Sequence, residues 1–444
     1  MSETMTNDYL NCILNALPAD SRNSGSQDTL DWLRRLRNEA IDRADQLRFP
    51  TVKDEEWRFT DVSPLAKLPY KPAQKTSALR LSDIQPFCIA ESAHRLVFVD
   101  GFFSSELSRL SEDDQFIIGN LASSVLAKVP LAEAHLGQHV QFRDNFFAAL
   151  NTAFLQDGAL IVLPENCAVS SPIHLLFIAT QEQTTNYPRC LLIGERNSQA
   201  TVIEDYVALG SNAYITNSVA EFSLADNAQV NHIRVQRESS GAFHLANSTV
   251  SLEQNSQYRS VSITLGALIS RFNLDIEFNA QAAECTIDGL TMTSGRQLAD
   301  THTRIDHAKP HCTSHQQHKC IVDDSSHAVF NGKIIVRPHA QRTNSSQSSR
   351  NLLLSGKAQI DTKPQLEIFA DDVKCAHGAT VGQLDNEEIF YLKSRGLNEL
   401  AARNLLTYAF GAEILDRIPV PSLRHTLEQT VLKQTTQTTR TQNS

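Results

Sequence analysis

The sequence predicts a mainly β fold: a solenoid of stacked coils with a helical segment at each end. Three observations lead there. A short pattern recurs at Asn197-Ser198-Gln199-Ala200, Asn227-Ala228-Gln229-Val230 and Asn255-Ser256-Gln257-Tyr258, more weakly at Gln281-Ala282-Ala283-Glu284, and later at Lys357-Ala358-Gln359-Ile360. The first four copies are 30, 28 and 26 residues apart, a period at which one coil buries its inward face only against the next. From about residue 94 apolar residues come in strand-length runs, and helical spacing is confined to the two ends. A β-sandwich with chance Asn-Ser-Gln turns is the competing arrangement, because Asn and Ser favour turns in any fold.

Residues 1–90 read as a helical segment and linker. Leu33, Leu36, Ala40, Ala44 and Leu47 recur at helical spacing between charged residues such as Arg34, Arg35, Arg37 and Asp42. Asp28 or Thr29 suits the cap, and Pro50 lies just past the end. Polar, proline-bearing sequence from Pro64 to Gln85 reads as the linker.

Residues 91–384 form the predicted solenoid core. The runs Leu96–Val99, Ala159–Leu163, His174–Ala179 and Cys190–Ile193 have strand length, and no long helical pattern interrupts them. Phe272, Leu274, Ile276 and Phe278 share one strand face, and Val261, Ile263 and Leu265 alternate with Ser260, Ser262 and Thr264 in the same way. About 290 residues at about 30 per coil predict nine or ten coils and a rod roughly 45 Å long. Residues 385–444 return to helix, with an apolar stripe of Leu397, Leu400, Ala401, Leu405, Ala409, Phe410 and Ile414 and a polar tail expected to fray.

Composition narrows the function. The chain has 444 residues, 41% hydrophobic and 20% charged, which excludes disorder throughout. A net charge of −10 argues against a nucleic-acid partner. No apolar run spans a bilayer. Glu3 and Asp8 precede the first basic residue, Arg22, unlike a secretory signal or a transit peptide. Eight cysteines dispersed over this length fit free thiols in a cytoplasm. Gly356-Lys357 runs on into Ala358 with Asn351 where a Walker A glycine belongs, and no G-x-S-x-G, G-x-G-x-x-G or H-E-x-x-H motif occurs.

Two constellations carry metal-type chemistry. His302, His307, His311, Cys312, His315, His318, Cys320 and His327 crowd one stretch, but without zinc-finger spacing, so half-buried strand histidines are the plainer reading. Asp371-Asp372-Val373-Lys374-Cys375-Ala376-His377-Gly378 is the other. In extended backbone Cys375 and His377 project from one face and offer sulfur and nitrogen to one metal centre. Two donors do not close a tetrahedral site, so a partner chain has to supply the rest. Lys374 is placed to lower the thiol pKa, and Gly378 to permit close approach or an unusual turn. A packed cysteine beside a surface histidine is the bland alternative. These residues fall near the last coil, where an unpaired strand must be capped or paired.

The stretch from His311 to Gly396 resembles the SufB/SufD family of iron–sulfur cluster assembly scaffolds, and its SufD branch most closely. The matching residues are His315-Gln316-Gln317-His318-Lys319, Ala328-Val329-Phe330-Asn331-Gly332, Asp361 to Ile368, Asp371 to Gly382 and Phe390 to Gly396. Glu55-Glu56-Trp57-Arg58-Phe59-Thr60 resembles the family's N-terminal motif. The resemblance implies a right-handed parallel β-helix flanked by helical segments. It implies a non-enzymatic scaffold that pairs with SufB through the C-terminal end of the β-helix and docks the ABC-type ATPase SufC on the C-terminal helical segment. Leu405, Ala409 and Phe410 are the candidates for that docking. It implies His377, with Cys375, as a cluster ligand at the SufB interface, a nascent cluster held transiently and shared with SufB, and no cofactor held permanently. Ala376 stands where Ser is common in relatives. A bacterial cytoplasm and a plastid stroma both fit. Two rivals remain: a carbohydrate-active β-helix using Asp323, Asp324, Lys333 and Arg337, and a stand-alone metal protein built on the histidine cluster.

Overall fold

The Asn-Ser-Gln repeat marks where strands begin. In this computed structural model, which describes residues 31–441 apart from 69, 76–78, 112–114, 127–129 and 141, the chain alternates between two parallel sheets. The first stacks β1 (His94–Val99), β3 (Ile173–Ala179), β5 (Gln199–Ala208), β7 (Gln229–Arg237), β9 (Gln257–Thr264), β11 (Glu284–Thr293), β13 (Thr313–Val322), β15 (Asn344–Leu353) and β17 (Lys374–Gly382). The second stacks β2 (Ala159–Leu163), β4 (Arg189–Gly194), β6 (Ile215–Leu224), β8 (Phe243–Leu252), β10 (Ile269–Phe278), β12 (Leu298–His307), β14 (His327–Val336) and β16 (Gln359–Ile368). Gln199, Gln229, Gln257 and Glu284 are register partners in the first sheet, one per coil. The copy at Gln359 opens β16, so it belongs to the second sheet.

The turn ahead of these strands explains the pattern. Asn197, Asn227 and Asn255 hold φ of 60°, 60° and 55°, a left-handed conformation that Asn tolerates better than most residues. Each side chain donates to the Asn one coil below, at 2.7, 3.0 and 3.2 Å, beginning on Asn166. Later coils place Ala282, His311 and Arg342 at the same turn. His311 is therefore a turn residue.

The architecture is a parallel β-solenoid of about eight coils, about 40 Å long, fewer than the nine or ten expected. Residues between β1 and β2 make no coil. They form short antiparallel strands, Phe102–Phe103 and Ile117–Asn120, and the helices Leu121–Leu126, Pro130–His135 and α2 (Phe146–Ala153). Every residue of α2 is buried, so it lacks the amphipathic period by which a helix is recognised. The Pro64–Gln85 stretch is not a free linker: Leu65, Tyr70 and Ala73 are buried, and Lys71–Pro72 pairs with Thr184–Thr185.

Three apolar layers hold the fold. Leu96, Phe222, Leu274, Ile276, Phe278 and Ile334 fill the lumen. α1 (Asp31–Gln46) and α2 cover the outer face of the second sheet through Leu33, Leu36, Phe146 and Phe147 against Leu191, Val219 and Phe243. The cap expected at Asp28 or Thr29 lies outside the described residues. The outer face of the first sheet is covered by α4 (Glu399–Leu415) and α5 (Pro421–Thr441), which pack Ile414, Leu423, Leu427 and Val431 onto Val261, Ile263 and Leu290. In β9 the apolar face thus points outward to helices, and Ser260, Ser262 and Thr264 point into the lumen. α5 also carries the polar tail, read as frayed, to Thr441 as helix.

Candidate functional site

The C-terminal end of the solenoid is its open end. Among the described residues β16 pairs only with β14, and β17 only with β15. Pro364 sits within β16, and an edge strand is where a sheet tolerates proline. At the N-terminal end, the antiparallel strands Phe102–Phe103 and Ile117–Asn120 lie against β1 and β2 instead.

Cys375 and His377 both lie on β17, with Ser345 and Gln347 as register partners on β15. Ser345, Gln347 and Ser349 are buried, whereas Asn344 and Arg350 are exposed. Alternation therefore puts Cys375 and His377 on the inward face, across the mouth of the lumen. Cys375 is half-buried and packs against the lumen cluster with Val373 and Leu366, while His377 is exposed. Burial pushes the Cys375 thiol above its ordinary value. The expectation that Lys374 would lower it is corrected: Lys374 is exposed, and desolvation decides the direction. Gly378 has ordinary strand φ, and a Cβ built on it meets nothing within 4 Å. It makes no close approach within this chain.

Exposed apolar groups surround this end. Ile368, Phe369 and Val381 flank the last coil, and α3 (Asn386–Ser394) presents Phe390 (73% exposed) and Tyr391. On α4, Leu405 and Ala409 are exposed, but Phe410 is half-buried with Lys319 4.6 Å from its ring centre. Of the three docking candidates, Phe410 serves packing. The Lys319 ammonium, nearly fully buried, donates to Glu413 and to the Phe410 carbonyl, at 2.5 and 2.8 Å. Gln317 also reaches Glu413. The His315–Lys319 motif thus anchors the C-terminal helices.

The histidine cluster disperses. His307 stacks on Phe278 and bonds Ser314; burial holds it down to about 4. His318 stacks on Phe330, bonds Thr291 and is held at about 3 by burial. His315 bonds Ser346, and His327 bonds Asp361. Cys312 and Cys320 are buried. Among the described residues no group of three or more His, Cys, Asp and Glu side chains is placed to hold a metal ion. Nor do the carbohydrate candidates make one groove. Asp323 and Asp324 lie in the turn after β13, Lys333 pairs with Glu367 on the second sheet, and Arg337 with Asp306.

His302 instead completes a knot that the sequence reading did not find. The segment Glu55–Thr60 crosses the outer face of the second sheet beside a cleft of about 650 Å³. Arg271 lies 3.9 Å from the Trp57 ring centre and donates to the Glu56 carbonyl and to Asp300. Asp300, 2% exposed, also accepts from Thr60 and faces His302 at 2.9 Å; His302 meets Glu56 at 3.1 Å. Lys363 holds Glu55 at 2.7 Å. Burial alone would raise Asp300, but Arg271 and His302 outweigh it and hold it at about 2. Burial would lower His302, yet Asp300 and Glu56 raise it. The N-terminal motif is therefore a strap tied to β10 through Arg271 and ion-paired to His302 on β12 and Lys363 on β16. The signal was a Glu-Glu-Trp cluster, whose partners lie more than two hundred residues away.

Fold and site define a class: a β-solenoid subunit with an open end carrying a thiol and an imidazole. Two family models match, the SUF system FeS cluster assembly SufBD core domain over residues 177–410 and the SufBD protein N-terminal region over residues 13–175. The chain is 42% identical over 431 residues to an iron–sulfur cluster assembly SufBD family protein of Synechocystis, covering 94% of each chain. It is 33% identical over 381 residues to the iron–sulfur cluster assembly protein SufD of Escherichia coli, covering 83% of this chain and 85% of that one. It is 25% identical over 408 residues to SufD of Bacillus subtilis, covering 89% and 92%. The chain belongs to the SufBD family and has a role in iron–sulfur cluster assembly. No helix among the described residues is long and apolar enough to cross a membrane.

Proposed function

We propose that the chain is a SufD-type scaffold subunit, itself non-enzymatic, working in a bacterial cytoplasm or plastid stroma. It pairs edge to edge with SufB through β16 and β17, docks SufC near Leu405 and Ala409 on α4, and offers Cys375 and His377 to a nascent iron–sulfur cluster. The observation that carries this reading is the open end itself. Two unpaired parallel edges, an exposed apolar rim and two soft metal donors coincide in the last coil. Unpaired edges are templates for another chain, and two donors need a partner's ligands to complete a coordination shell.

The chemistry follows from the two side chains. Iron takes thiolate, so capture of the cluster displaces the Cys375 proton, and the raised thiol keeps that site protonated until metal arrives. The neutral imidazole of His377 binds more weakly than thiolate and eases release. The cluster is cargo, held transiently and shared with SufB. Strain from SufC dimerisation on ATP would open the interface to it.

The test is anaerobic co-expression with SufB and SufC, followed by co-purification and visible absorption. His377→Ala and Cys375→Ser are expected to leave the complex assembled but poor in cluster. Unchanged cluster content in both variants refutes the ligand role. Failure of the chain to co-purify with either partner refutes the assembly.

A further inference from the structure

Gln347 lies directly beneath His377. The two are register partners on β15 and β17, on the same inward face. Gln347 is 3% exposed, and neither its amide nitrogen nor its amide oxygen has a hydrogen-bond partner among the described residues. An unpaired buried amide loses the hydrogen bonds it would make in water, and such a group calls for an explanation.

Gly332 shows that the amide is accommodated in this place. A Cβ at position 332 would lie 2.1 Å from Gln347 Nε2 and 2.6 Å from its Cδ. Only glycine on β14 leaves the amide room to lie across the lumen. A second close approach lies one coil earlier, where a Cβ at Gly289, the register partner of His318, would lie 2.2 Å from the His318 ring. That ring is satisfied, bonded to Thr291 and stacked on Phe330. Gln316, the next residue down the column from Gln347, is also satisfied, by Thr303. Of Gln316, His318 and Gln347, the one left with free bonding capacity is Gln347, under His377.

We infer that Gln347 is the positioning residue for His377, its amide oxygen accepting the N–H of whichever ring nitrogen does not face the cluster. This rests on the reading of His377 as a ligand. An imidazole that binds metal through one nitrogen holds its proton on the other, and an acceptor there fixes tautomer and ring orientation. Neighbouring strands are about 4.8 Å apart, so rotation of the Gln347 side chain brings its amide within reach of the ring. A neutral amide supplies the acceptor without adding charge to the site. Gly332 leaves the amide the room in the lumen from which it turns to the ring, which gives the Ala328–Gly332 motif a role in the site.

The test uses the full chain with ¹⁵N-labelled histidine, the His377 signal being assigned by its loss in His377→Ala. Ring-nitrogen shifts at one fixed pH report which nitrogen carries the proton. Gln347→Met removes the acceptor at similar size; Gln347→Glu keeps it; Gly332→Ala displaces it without altering residue 347. The expected result is a shifted tautomer ratio in Gln347→Met and Gly332→Ala and a ratio near wild type in Gln347→Glu. In the co-purified complex, Gln347→Met should lower cluster content about tenfold, the low end for loss of a ligand's supporting partner. Ring-nitrogen shifts unchanged in both Gln347→Met and Gly332→Ala overturn the inference, as does an equal shift in Gln347→Met and Gln347→Glu. The ring-nitrogen result is independent of cluster loading. Full cluster content in His377→Ala would therefore sink the ligand reading alone.

Discussion

Asp300→Asn tests whether the strap is held by the buried charge knot. The substitution preserves shape and removes one negative charge from a site where Arg271 is almost fully buried and His302 largely so. Two routes give its magnitude. The Asp300 carboxyl is held at about 2 against its ordinary value of 3.8, and at about 1.4 kcal/mol per pH unit that gap amounts to about 2.5 kcal/mol. Breaking a buried ion pair by removing one partner typically costs about 3–5 kcal/mol, because the remaining charge is stranded. Arg271 keeps its contacts with the Glu56 carbonyl and Trp57, so the lower half applies: about 2–4 kcal/mol of strap docking lost at pH 7.

The pH dependence has a definite sign. Asp300 is depressed in the fold, so its contribution is complete above about 4 and is lost as pH falls from about 4 to about 2. His302 is raised, so its contribution is complete below its ordinary value of 6.5 and is lost as pH rises through its elevated folded value. Limited proteolysis between residues 47 and 65, read by mass spectrometry, follows local release of the strap without assuming two-state unfolding of the solenoid. Cleavage of Asp300→Asn at pH 7 should be about thirtyfold faster or more, the equivalent of 2 kcal/mol, and the two proteins should converge at low pH. Equal cleavage of both proteins at pH 7 would refute the reasoning.

The other predictions concern the opposite face and the open end. Glu413→Ala strands the buried Lys319 ammonium; because Glu413 is nearly half exposed, the cost should be about 1–3 kcal/mol rather than the full buried-pair value. It is read as earlier release of α4 and α5 in urea, and adding Lys319→Met should restore part of it. Lys319 and Gln317 hold the Glu413 carboxyl at about 2, so this anchor is complete above its ordinary value of 4.5 and weakens as pH falls from there toward 2. Cys375 should alkylate slowly with iodoacetamide at pH 7 and accelerate only above the ordinary thiol range, and Lys374→Ala should alter the rate less than twofold, because burial sets the thiol. Leu405→Glu with Ala409→Glu should weaken capture of SufC at least tenfold in a pull-down without changing the circular dichroism spectrum; full capture would move the docking face elsewhere.

Much of this fold is visible in the sequence because a solenoid repeats. Asn197, Asn227 and Asn255 recur since each coil needs the same left-handed turn, and stacking their amides rewards keeping the residue. The pattern fades at Ala282, His311 and Arg342 because the turn geometry, not the residue, is what the coil requires. What a face packs against was less legible. Val261 and Ile263 look like lumen residues by alternation, but alternation does not say which side carries the helices. The apolar stripe on α4 failed similarly: Ala402, Gly411 and Ile414 pack, while Leu405 stays out. Cys375 and His377 were found because their i, i+2 spacing survives in any strand. Gln347 and Gly332 were not singled out for the site, since one is called to it by register and the other by a missing side chain.

The two ends of the solenoid differ in a way that bears on function. A sheet edge exposes a row of unpaired N–H and C=O groups, and folded proteins cover such rows. At the N-terminal end short antiparallel strands run against β1 and β2, which blocks addition of another parallel coil. At the C-terminal end the chain leaves β17 directly for α3, and α4 and α5 turn back along the outer face of the first sheet instead of crossing the mouth. The lumen there carries polar groups, as it does in earlier coils: Ser314, Ser345, Gln316, Gln347 and Thr303 line it beside Ile334 and Val336. A monomer gains nothing from an open edge over a polar lumen, since both leave backbone or amide groups unpaired. On the proposed function, a second solenoid meeting this end would supply the missing strand partners and enclose Cys375 and His377 in one interface. Val381, exposed on the edge itself, gives the direct check. Val381→Lys places a charge where the partner strand would lie and should abolish the pairing with SufB while leaving the melting temperature of the free chain within a degree or two. Retained pairing would put the interface on another surface.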